Sequence, residues 1–483
     1  MNVLNGLEPR RVFEIFEHLS SVPHGSGNTK AISDLCVQFA RERGLDCLQD
    51  GLNNVIVRVP ASPGYEAAET VILQGHLDMV CAKSPEDPMD MSREPIRLAT
   101  DGEWVFAQGT SLGGDDLIAV AMALAIAEDK TLPHPALECL FTVDEETGMN
   151  GAVGLDASVL HGRKMINLDS EAEGYFTAGC AGGADVRFCF PARREEKDPG
   201  EAGYRVTVSG LLGGHSGGEI HKERGNSHQL TARLLHFARR EMPLRLCKLW
   251  GGEFDNVIPG KTTAEVRIPA GSADKFIAHC HRMEEEFREE LAASDPGVTV
   301  SVEPAESEAA PVCAEDTRRM LDVLIALPYG VQNMSMALPG LTQTSLSMGV
   351  LRLEEDGLRG CFFVRSSMES QKMFTVRRVE LIVSAMGGTF ESDPGYPGWA
   401  FRRESPLREL ALRSYRELTG KEAQVFATHG GLECGLLIDK MPGLDCISFG
   451  PDMEDIHSVR ERLSVPSVGR TYALVCSILK NCK

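Results

Sequence analysis

The sequence predicts an α/β protein built around a mostly parallel sheet, into which a separate α+β domain is inserted. From about residue 54 to residue 179, short β-branched runs alternate with helical stretches, and this βαβ rhythm is typical of a parallel sheet. From about residue 185 to residue 393 the elements change in style, and the earlier style returns after them. We therefore predict a first domain formed by residues 1–186 and 394–483, with residues 187–393 inserted into it.

The elements of the first segment follow one another as NVIVRVP, TVILQGHLDMV, DDLIAVAMALAIAED, ALECLFTVDEETG and KMINLDSE. In open α/β sheets, functional residues gather at the carboxyl ends of the strands. His76, Glu145 and Asp169 each follow an apolar run directly. We therefore expect these three residues at strand exits along one edge of the sheet.

The middle segment contains the strand patterns YRVTVSG, TAEVRIPA and GVTVSVEP, set between the helical patterns SHQLTARLLHFARREM and KFIAHCHRMEEEFREELAA. Such a mixture indicates an α+β domain with its own core. After it, LRELALRSYRELTG is an amphipathic helix and GLDCISFGP is a buried strand, both in the style of the first segment. The middle segment is therefore interpreted as an insertion.

Composition excludes several classes of protein. The chain has 483 residues, 42% of them hydrophobic and 25% charged, which is ordinary for a globular protein of two or three domains. No apolar run approaches the roughly 20 residues of a membrane helix, and the first residues do not resemble a signal peptide, so we expect a cytoplasmic protein. The formal charge of −21 disfavours nucleic acid and anionic membranes as partners. The fourteen cysteines show no C-x-x-C pair, and most of them are interpreted as buried thiols.

The first cluster with chemical potential is Gly75-His76-Leu77-Asp78, at the end of the run VILQ. In extended chain, His76 and Asp78 project to the same side, so the Asp78 carboxylate can accept the second imidazole N–H and orient the ring. An isolated H-x-D also arises by chance. Its position at a strand end favours a functional site.

Two further clusters are acidic. Asp115 and Asp116 lie between a glycine loop and the helix LIAVAMALAIAED, where either residue could simply cap the helix. Asp144, Glu145 and Glu146 follow the strand LECLFTV, and three consecutive carboxylates repel one another unless a cation compensates them. A metal ion is one compensator, and plain solvent exposure is the alternative.

Asp169 and His457 complete the set, because both also follow apolar strands. Individually, either could be a capping or surface residue. Imidazoles and carboxylates without cysteine suit hydrolytic zinc or manganese, and two ions need roughly five ligands with one of them bridging. A further carboxylate can then act as a general base, so the set predicts a dinuclear metal hydrolase. Chemistry that uses a serine or cysteine nucleophile is the less attractive alternative.

Longer motifs resemble the Xaa-His dipeptidase family, that is, the aminoacyl-histidine or cytosol non-specific dipeptidases of the dinuclear zinc peptidase superfamily. They are GHLDMV, DEETGMNGA, NLDSE, CAGG, GGHSGGEIHKERGN, QTSL, YPGW, HGGLECG and PGLDCISFGP followed by His457. The resemblance implies hydrolysis of unblocked dipeptides, either of the Xaa-His type or of a broad range. It also implies that the inserted domain is a lid that closes over the short peptide substrate and forms the contact of a homodimer.

The resemblance also implies roles for single residues. Asp115 would bridge two divalent ions, zinc by preference, although manganese and cobalt accept the same ligands. Glu145 would be the general base, and Asp78 keeps the orienting role described above. The implied metal ligands are His76, Asp115, Glu146, Asp169 and His457.

In the inserted domain, His215 of GGHSG matches the histidine with which such enzymes stabilise the developing oxyanion; an ordinary loop histidine is the alternative. Asn256 in DNVIPG and Arg365 in VRSS are candidates for binding the substrate's carboxylate, with turn and surface roles as the alternatives. His429 in HGGLECG is a further candidate for the pocket.

One departure concerns the bridge. Family members usually carry Asn-Gly after the bridging aspartate, whereas here Asp116 and Leu117 follow Asp115. If Leu117 adopted a positive φ, the strain would be on the order of 1 kcal/mol or more. The resemblance also suggests a cis peptide bond after Asp115. This departure puts metal affinity and specific activity in question more than the class of reaction.

Two other readings compete with a dipeptidase. The first is an amidohydrolase, deacylase or aminopeptidase of the same superfamily, although a lid of about 200 residues favours the dipeptidases. The second is a catalytically inactive homologue that serves for binding or regulation. Retention of Glu145 together with every implied ligand argues against the inactive homologue.

Overall fold

The computed structural model describes residues 3–393 and 395–483. This part of the chain contains eleven α-helices, and no helix in it is long and apolar enough to cross a membrane. The helices are α1 (Arg10–Leu19), α2 (Lys30–Glu42), α3 (Gly114–Glu128), α4 (Asn150–Gly154), α5 (Ser227–Glu241), α6 (Ala273–Glu290), α7 (Ala314–Ala326), α8 (Glu369–Ala385), α9 (Pro406–Thr419), α10 (Glu433–Lys440) and α11 (Val465–Asn481).

The same residues contain 23 strands, which form four sheets. The strands are β1 (Asp46–Gln49), β2 (Val55–Val59), β3 (Val71–His76), β4 (Leu98–Thr100), β5 (Trp104–Ala107), β6 (Leu137–Thr142), β7 (Lys164–Asn167), β8 (Tyr175–Cys180), β9 (Gly182–Pro191), β10 (Glu201–Ser209), β11 (Gly214–His215), β12 (Arg245–Gly251), β13 (Val257–Ile258), β14 (Thr262–Pro269), β15 (Thr299–Pro304), β16 (Gly330–Met334), β17 (Thr342–Leu353), β18 (Gly357–Ser366), β19 (Thr389–Ser392), β20 (Gln424–Thr428), β21 (Asp445–Ser448), β22 (Met453–Glu454) and β23 (Arg462–Ser464).

The chain forms two compact units. Unit 1 runs to Gly179 and continues with Phe401–Ala427 and Leu432–Lys483. Unit 2 comprises Cys180–Ala400 together with the short stretch Thr428–Gly431. Each unit has its own hydrophobic core.

Unit 1 is organised by a mixed eight-stranded sheet of order β1-β2-β6-β3-β7-β21-β8-β20. The predicted α/β class is confirmed, and the four central strands β6, β3, β7 and β21 pair in parallel. At the edges, β1, β2 and β8 pair antiparallel with their neighbours. Parallel pairing is thus confined to the strands that are joined by crossovers, because a hairpin such as β1-β2 can only place its strands antiparallel.

Helix α3 lies in the core of unit 1 and packs against β3 and α1. Fourteen of its residues, from Gly114 to Ala127, are buried. A helix that is apolar on all sides must be covered on all sides, and this explains the unbroken run LIAVAMALAIA. The start of α3 is thereby fixed next to the end of β3.

A second, four-stranded sheet of unit 1 has the order β22-β23-β5-β4. Its register pairs Leu463 of β23 with Val105 of β5, and Met453 of β22 with Leu463. The loop of residues 455–461 joins β22 to β23. The loop that carries His457 is therefore fixed at both of its ends by paired strands.

Unit 2 is organised by a nine-stranded antiparallel sheet of order β15-β10-β14-β12-β17-β18-β9-β19, with β16 paired to β17. Along β9, Val186, Phe188 and Phe190 are buried in the core, which is the alternation expected when one face of a sheet is covered. Helices α5 to α8 contact the strands of this sheet. Because Val364 of β18 belongs to the core, its neighbour Arg365 lies on the opposite face.

Candidate metal centre and carboxylate site

Four predicted site residues lie at the same edge of the unit 1 sheet. Residue pairing aligns His76 at the end of β3 with Thr142 at the end of β6, and Gln74 with Asn167 at the end of β7. The loops that follow these strands carry Glu145, Glu146 and Asp169. The register therefore brings these residues together although about 70 to 90 residues separate them along the chain.

Asp115, near the start of α3, lies between two histidines. Its Oδ1 atom is 3.1 Å from His76 Nε2, and its Oδ2 atom is 3.1 Å from His457 Nε2. The carboxylate is 6% exposed. This arrangement gives one oxygen to each histidine, as a carboxylate that bridges two ions would.

Each histidine has a second carboxylate of its own. Asp169 Oδ1 lies 3.8 Å from His76 Nε2, and Glu146 Oε1 lies 2.9 Å from His457 Nε2. Glu146 Oε1 is nevertheless buried without a hydrogen-bond partner. This short distance places the Glu146 carboxylate and the His457 imidazole close enough to bind one ion together.

Charge in this cluster is unbalanced. Burial raises the pKa of Asp169 well above its usual range, and the nearby Asp116 and Asp115 carboxylates add to the effect. Ionised carboxylates packed this closely repel one another unless cations lie among them. Within this cluster, two groups of side chains have ligand atoms within 4.8 Å of one another, namely His76 with Asp115 and Glu146, and His76 with Asp116 and Asp169. This donor set fits divalent cations.

Asp78 contacts more residues of the site than the sequence predicts. His76 Nδ1 is 3.0 Å from the backbone oxygen of Asp78 and 3.5 Å from its carboxylate, so the carbonyl is the nearer acceptor. The Asp78 carboxylate instead accepts the backbone N–H groups of Glu145 at 3.0 Å and Glu146 at 3.3 Å. It also accepts the Ser26 hydroxyl at 2.8 Å. Asp78 thus links the imidazole to the loop after β6.

Glu145 lies in this loop with an environment that suits a base. Burial raises the pKa of its carboxyl group, and the negative charges of Glu146 and Asp115 act in the same direction. A raised pKa makes a carboxylate a better proton acceptor near neutral pH. Its backbone is fixed by the bond to Asp78, so the position of the carboxylate is restricted.

The departure at Asp116-Leu117 leaves α3 regular from Leu117 onward, whereas Asp115 and Asp116 have non-helical backbone angles. Leu117 does not have a positive φ, so the strain considered for that case does not arise. The peptide bond between Asp115 and Asp116 is cis. Asp116 is fully buried, and its Oδ2 atom accepts the backbone N–H of His76 at 3.2 Å. Gly75 is required beside it, because a Cβ at that position would lie 2.6 Å from this oxygen.

We expect Asp116→Asn to keep metal binding and activity within about threefold of the unsubstituted protein. Asparagine retains an oxygen that can accept the His76 N–H bond, so the predicted ligands stay in place. Metal content by elemental analysis, measured together with kcat/KM, checks this. Loss of an ion from the variant would show that Asp116 itself is a ligand.

A buried polar network beneath the strand ends was not predicted from the sequence. Gln74 Nε2 and Thr142 Oγ1 donate to Glu433 Oε2 at 2.7 and 2.6 Å, and Asn167 Nδ2 donates to Gln74 Oε1 at 2.5 Å. Burial raises the pKa of Glu433 to about 8. Three of these residues precede predicted site residues by two or three positions on apolar strands, which is the signal that could have identified them. Such a network makes the strand ends rigid.

In unit 2, Arg365 is a buried cation that forms no ion pair within 4 Å among the described residues. It is 4% exposed, and the negative charges of Asp255 and Asp185 act on it only from a greater distance. Ser216 Oγ lies 3.4 Å and the Tyr396 hydroxyl 3.5 Å from its guanidinium, which also stacks on the ring of Phe363. Burying an unpaired charge is costly, so this geometry favours an anionic ligand over the surface role considered above.

His215 provides a second hydrogen-bond donor beside the Arg365 guanidinium. Its Nδ1 atom accepts the backbone N–H of Gly218 at 3.0 Å, so a neutral ring carries its proton on Nε2. Burial and the charge of Arg365 lower the pKa of His215, which favours the neutral ring. Nε2 lies 3.3 Å from Arg365 Nη2. Both atoms are then donors, and they converge on a shared acceptor such as an oxyanion.

Asn256 and His429 lie beside these two residues. The backbone oxygen of Asn256 accepts the Ser216 N–H at 2.9 Å, next to the β11-β13 pair that holds His215. His429 is 7% exposed and its Nε2 atom is 2.7 Å from Ser345 Oγ. The cluster surrounds Gly217, since a Cβ there would lie 2.9 Å from His215 Cε1 and 3.2 Å from Arg365 Cζ.

Three residues of this cluster had no role in the sequence analysis, namely Ser216, Ser345 and Tyr396. Each belongs to a motif that was noted there, GGHSGG, QTSL or YPGW. Tyr396 is fixed by glycines, because a Cβ at Gly431 would lie 2.7 Å from its ring. The motifs gave the signal, but only the packed structure shows that the three side chains meet around one cation.

Comparison with known proteins finds a matching peptidase family and similar dipeptidases. The family model described as "Peptidase family M20/M25/M40" matches residues 72–481. The chain is 34% identical over 480 residues to the cytosol non-specific dipeptidase of Escherichia coli, with 99% of each chain covered. It is also 34% identical to the crystal structure of aminoacylhistidine dipeptidase from Vibrio alginolyticus, with a TM-score of 0.95 over 99% of this chain and 98% of that one. The aminopeptidase PepT of Bacillus cereus shares the fold, with a TM-score of 0.57 at 16% identity over 99% of each chain.

Proposed function

This chain belongs to peptidase family M20/M25/M40, and we propose that it is a metal-dependent dipeptidase that hydrolyses the peptide bond of unblocked dipeptides. One observation carries this proposal: the Asp115 carboxylate gives one oxygen to each of two histidines, each of which has a further carboxylate nearby. The names of the two relatives at 34% identity, both dipeptidases, support the substrate class.

The proposed metal site contains two divalent ions, most simply zinc. His76 and Asp169 would hold one ion, His457 and Glu146 the other, and Asp115 both. When bound, such ions lower the pKa of water and polarise the scissile carbonyl. Because manganese and cobalt accept the same oxygen and nitrogen donors, metal content must be measured to identify the native ion.

Glu145 is proposed to transfer the proton. Its carboxylate, with a pKa raised by burial, accepts the proton of the attacking water and returns it to the leaving amine. Asp78 holds the backbone of Glu145 and the ring of His76 in a fixed relation, so the base keeps its position through both transfers. His215 donates from Nε2 to the oxygen that gains negative charge.

Arg365 is proposed to bind the free carboxylate of the dipeptide, assisted by His429, Ser345 and Asn256. A planar guanidinium without a counter-ion provides parallel N–H donors to a carboxylate. This requirement for a free C-terminus distinguishes a dipeptidase from an endopeptidase. Residues on β18 and around His215 therefore determine which substrates are accepted.

Domain role, assembly and location are parts of the same proposal. We place the predicted inserted domain, residues 187–393, in the role of a lid that also forms the contact of a homodimer. The substrate is a short peptide of the Xaa-His type or of a broader range, in keeping with the two names among its relatives. The name of the Escherichia coli relative supports a cytoplasmic location.

We expect Arg365→Met to lower kcat/KM for free dipeptides by about 10- to 100-fold, because a charge-assisted contact to the substrate is lost. Methionine keeps an unbranched stem against Phe363, so packing is preserved. The control substrate is the same dipeptide with an amidated C-terminus. Its hydrolysis should be slow in both proteins and change little, whereas an equal loss for both substrates would contradict a carboxylate contact.

The proposed function is tested with purified protein and a panel of substrates. The panel contains free dipeptides, including histidine-ending ones, N-acetylated amino acids and tripeptides, each assayed with a chelator and with added zinc or manganese. Chelator-sensitive cleavage confined to free dipeptides supports the proposal. Cleavage of acetylated amino acids would identify a deacylase, and cleavage of tripeptides an aminopeptidase. Absence of any turnover with every metal would favour the inactive homologue.

A further inference from the structure

Glu461 is a buried carboxylate to which the proposed mechanism assigns no role. It is 3% exposed, and its two oxygens accept four consecutive backbone N–H groups. Oε2 accepts from Leu112 at 2.8 Å and from Gly113 at 3.2 Å; Oε1 accepts from Gly114 at 2.8 Å and from Asp115 at 3.4 Å. Among the described residues Glu461 forms no ion pair, so the groups that stabilise its negative charge are these backbone N–H dipoles.

The segment that Glu461 binds has an irregular backbone. Asp115 and Asp116 have non-helical backbone angles, so the first turn of α3 is irregular and its N–H groups lack partners within the helix. Gly113 has a φ of 70°. A Cβ at Gly114 would lie 3.3 Å from Glu461 Oε1, so glycine allows the carboxylate to approach closely. Glu461 thus supplies acceptors that the first turn of α3 does not.

Glu461 also belongs to the loop that carries His457. Glu461 follows His457 by four residues, and its N–H donates to Ser458 O at 3.2 Å within one turn. Strand β23 begins at the next residue and pairs with β5, which fixes the turn to the body of unit 1. His457 therefore contacts the side chain of Asp115, while Glu461 accepts a hydrogen bond from the Asp115 backbone.

We infer that Glu461 is a positioning residue for the metal centre, which sets the distance between Asp115 and His457 so that both can bind the same ion. This inference rests on the proposed function, because it takes Asp115 and His457 as metal ligands. A carboxylate that only caps α3 would contribute to folding stability, and the metal affinity of the folded protein would not depend on it. The two roles therefore differ in a measurable property.

The test is the zinc affinity of Glu461→Gln, measured by competition between the metal-free protein and a chromophoric chelator. Glutamine keeps the size of the side chain but presents an amide NH₂ group to two of the four N–H donors. We expect zinc to bind about 10- to 100-fold more weakly, as is typical when a residue that orients metal ligands is changed. The matched control is Glu454→Gln on β22, an exposed glutamate that accepts from Arg462, and its zinc affinity should be unchanged.

Unfolding of the metal-free proteins is measured in parallel. Unchanged zinc affinity in Glu461→Gln, with or without lower stability, would overturn the inference and leave only a capping role. If Glu461→Gln does not fold, Glu461→Asp replaces it: the retracted carboxylate cannot reach all four donors, so zinc affinity should again fall, and an unchanged affinity would overturn the inference. If the unsubstituted protein binds no zinc, the metal site of the proposed function fails, and the inference with it.

Discussion

Glu145→Gln is expected to lower kcat for a free dipeptide by about 10³-fold while both metal ions remain bound. Glutamine has the same shape but cannot accept the proton of the attacking water. Glu145 is the carboxylate of the cluster whose backbone is held by Asp78 and to which no metal-binding role is assigned. Steady-state kinetics combined with elemental analysis of the same sample checks both parts of the expectation.

Asp144→Asn is the matched control for Glu145→Gln. Asp144 is the preceding residue, and its Oδ1 atom accepts the Gly27 N–H at 2.6 Å, which an asparagine oxygen can also do. We expect its activity to stay within about threefold. If Glu145→Gln lost its metal, the residue would be a ligand; if it kept full activity, another group would be the base.

Asp115→Asn has the second large effect, and it acts through the metal ions. The two histidines share the oxygens of this one carboxylate, so loss of its charge weakens the ligand set on both sides. We expect the protein to retain fewer than two ions per chain after dialysis and kcat/KM to fall by at least about 10³-fold. Metal content by elemental analysis, followed by assay with excess zinc, measures both effects.

The neighbouring variant Asp116→Asn is the reference for Asp115→Asn, because the same chemical change is made one residue later in the same turn. Asp116 accepts a backbone N–H from His76, whereas the Asp115 carboxylate contacts both imidazoles. Equal metal loss in the two variants would mean that the turn, and not the bridging carboxylate, determines metal binding.

Much of unit 1 could be predicted from the sequence, because the sequence pattern of each segment there matches the strand or helix that it forms in the fold. Alternating β-branched and helical runs predict the α/β class, and apolar runs that end in His76, Glu145 and Asp169 predict a shared edge. The antiparallel edge strands were not predicted. Strand β1, with the sequence DCLQ, is short and half-exposed, so its pairing is determined by the hairpin with β2 and not by its own pattern.

The departure at Asp116-Leu117 shows that residue type alone did not predict the backbone conformation of this turn. Absence of glycine after the bridging aspartate raised the possibility of strain at Leu117, but the irregular backbone angles are at Asp115 and Asp116 instead. Backbone angles depend on how the whole turn is held, including the bonds from Glu461. Residue identity at one position does not contain that information.

Residues that act through others were the hardest to predict. Glu461, Glu433 and Tyr396 contact their partners only after the chain has folded, and the separation between Glu461 and Asp115 is 346 residues. No spacing rule connects positions that far apart. The candidate ligands could be predicted because imidazoles and carboxylates at strand ends are distinctive, whereas a single glutamate in a loop is not.

The central claim is that two metal ions held around Asp115 make this protein a dipeptidase. The most direct test removes all metal with a chelator and titrates zinc back, measuring bound zinc and hydrolysis of one free dipeptide in the same samples. The proposal predicts no hydrolysis without metal and a maximum rate when two zinc ions are bound per chain. Full activity of the metal-free protein, or two bound ions without any hydrolysis, would contradict it.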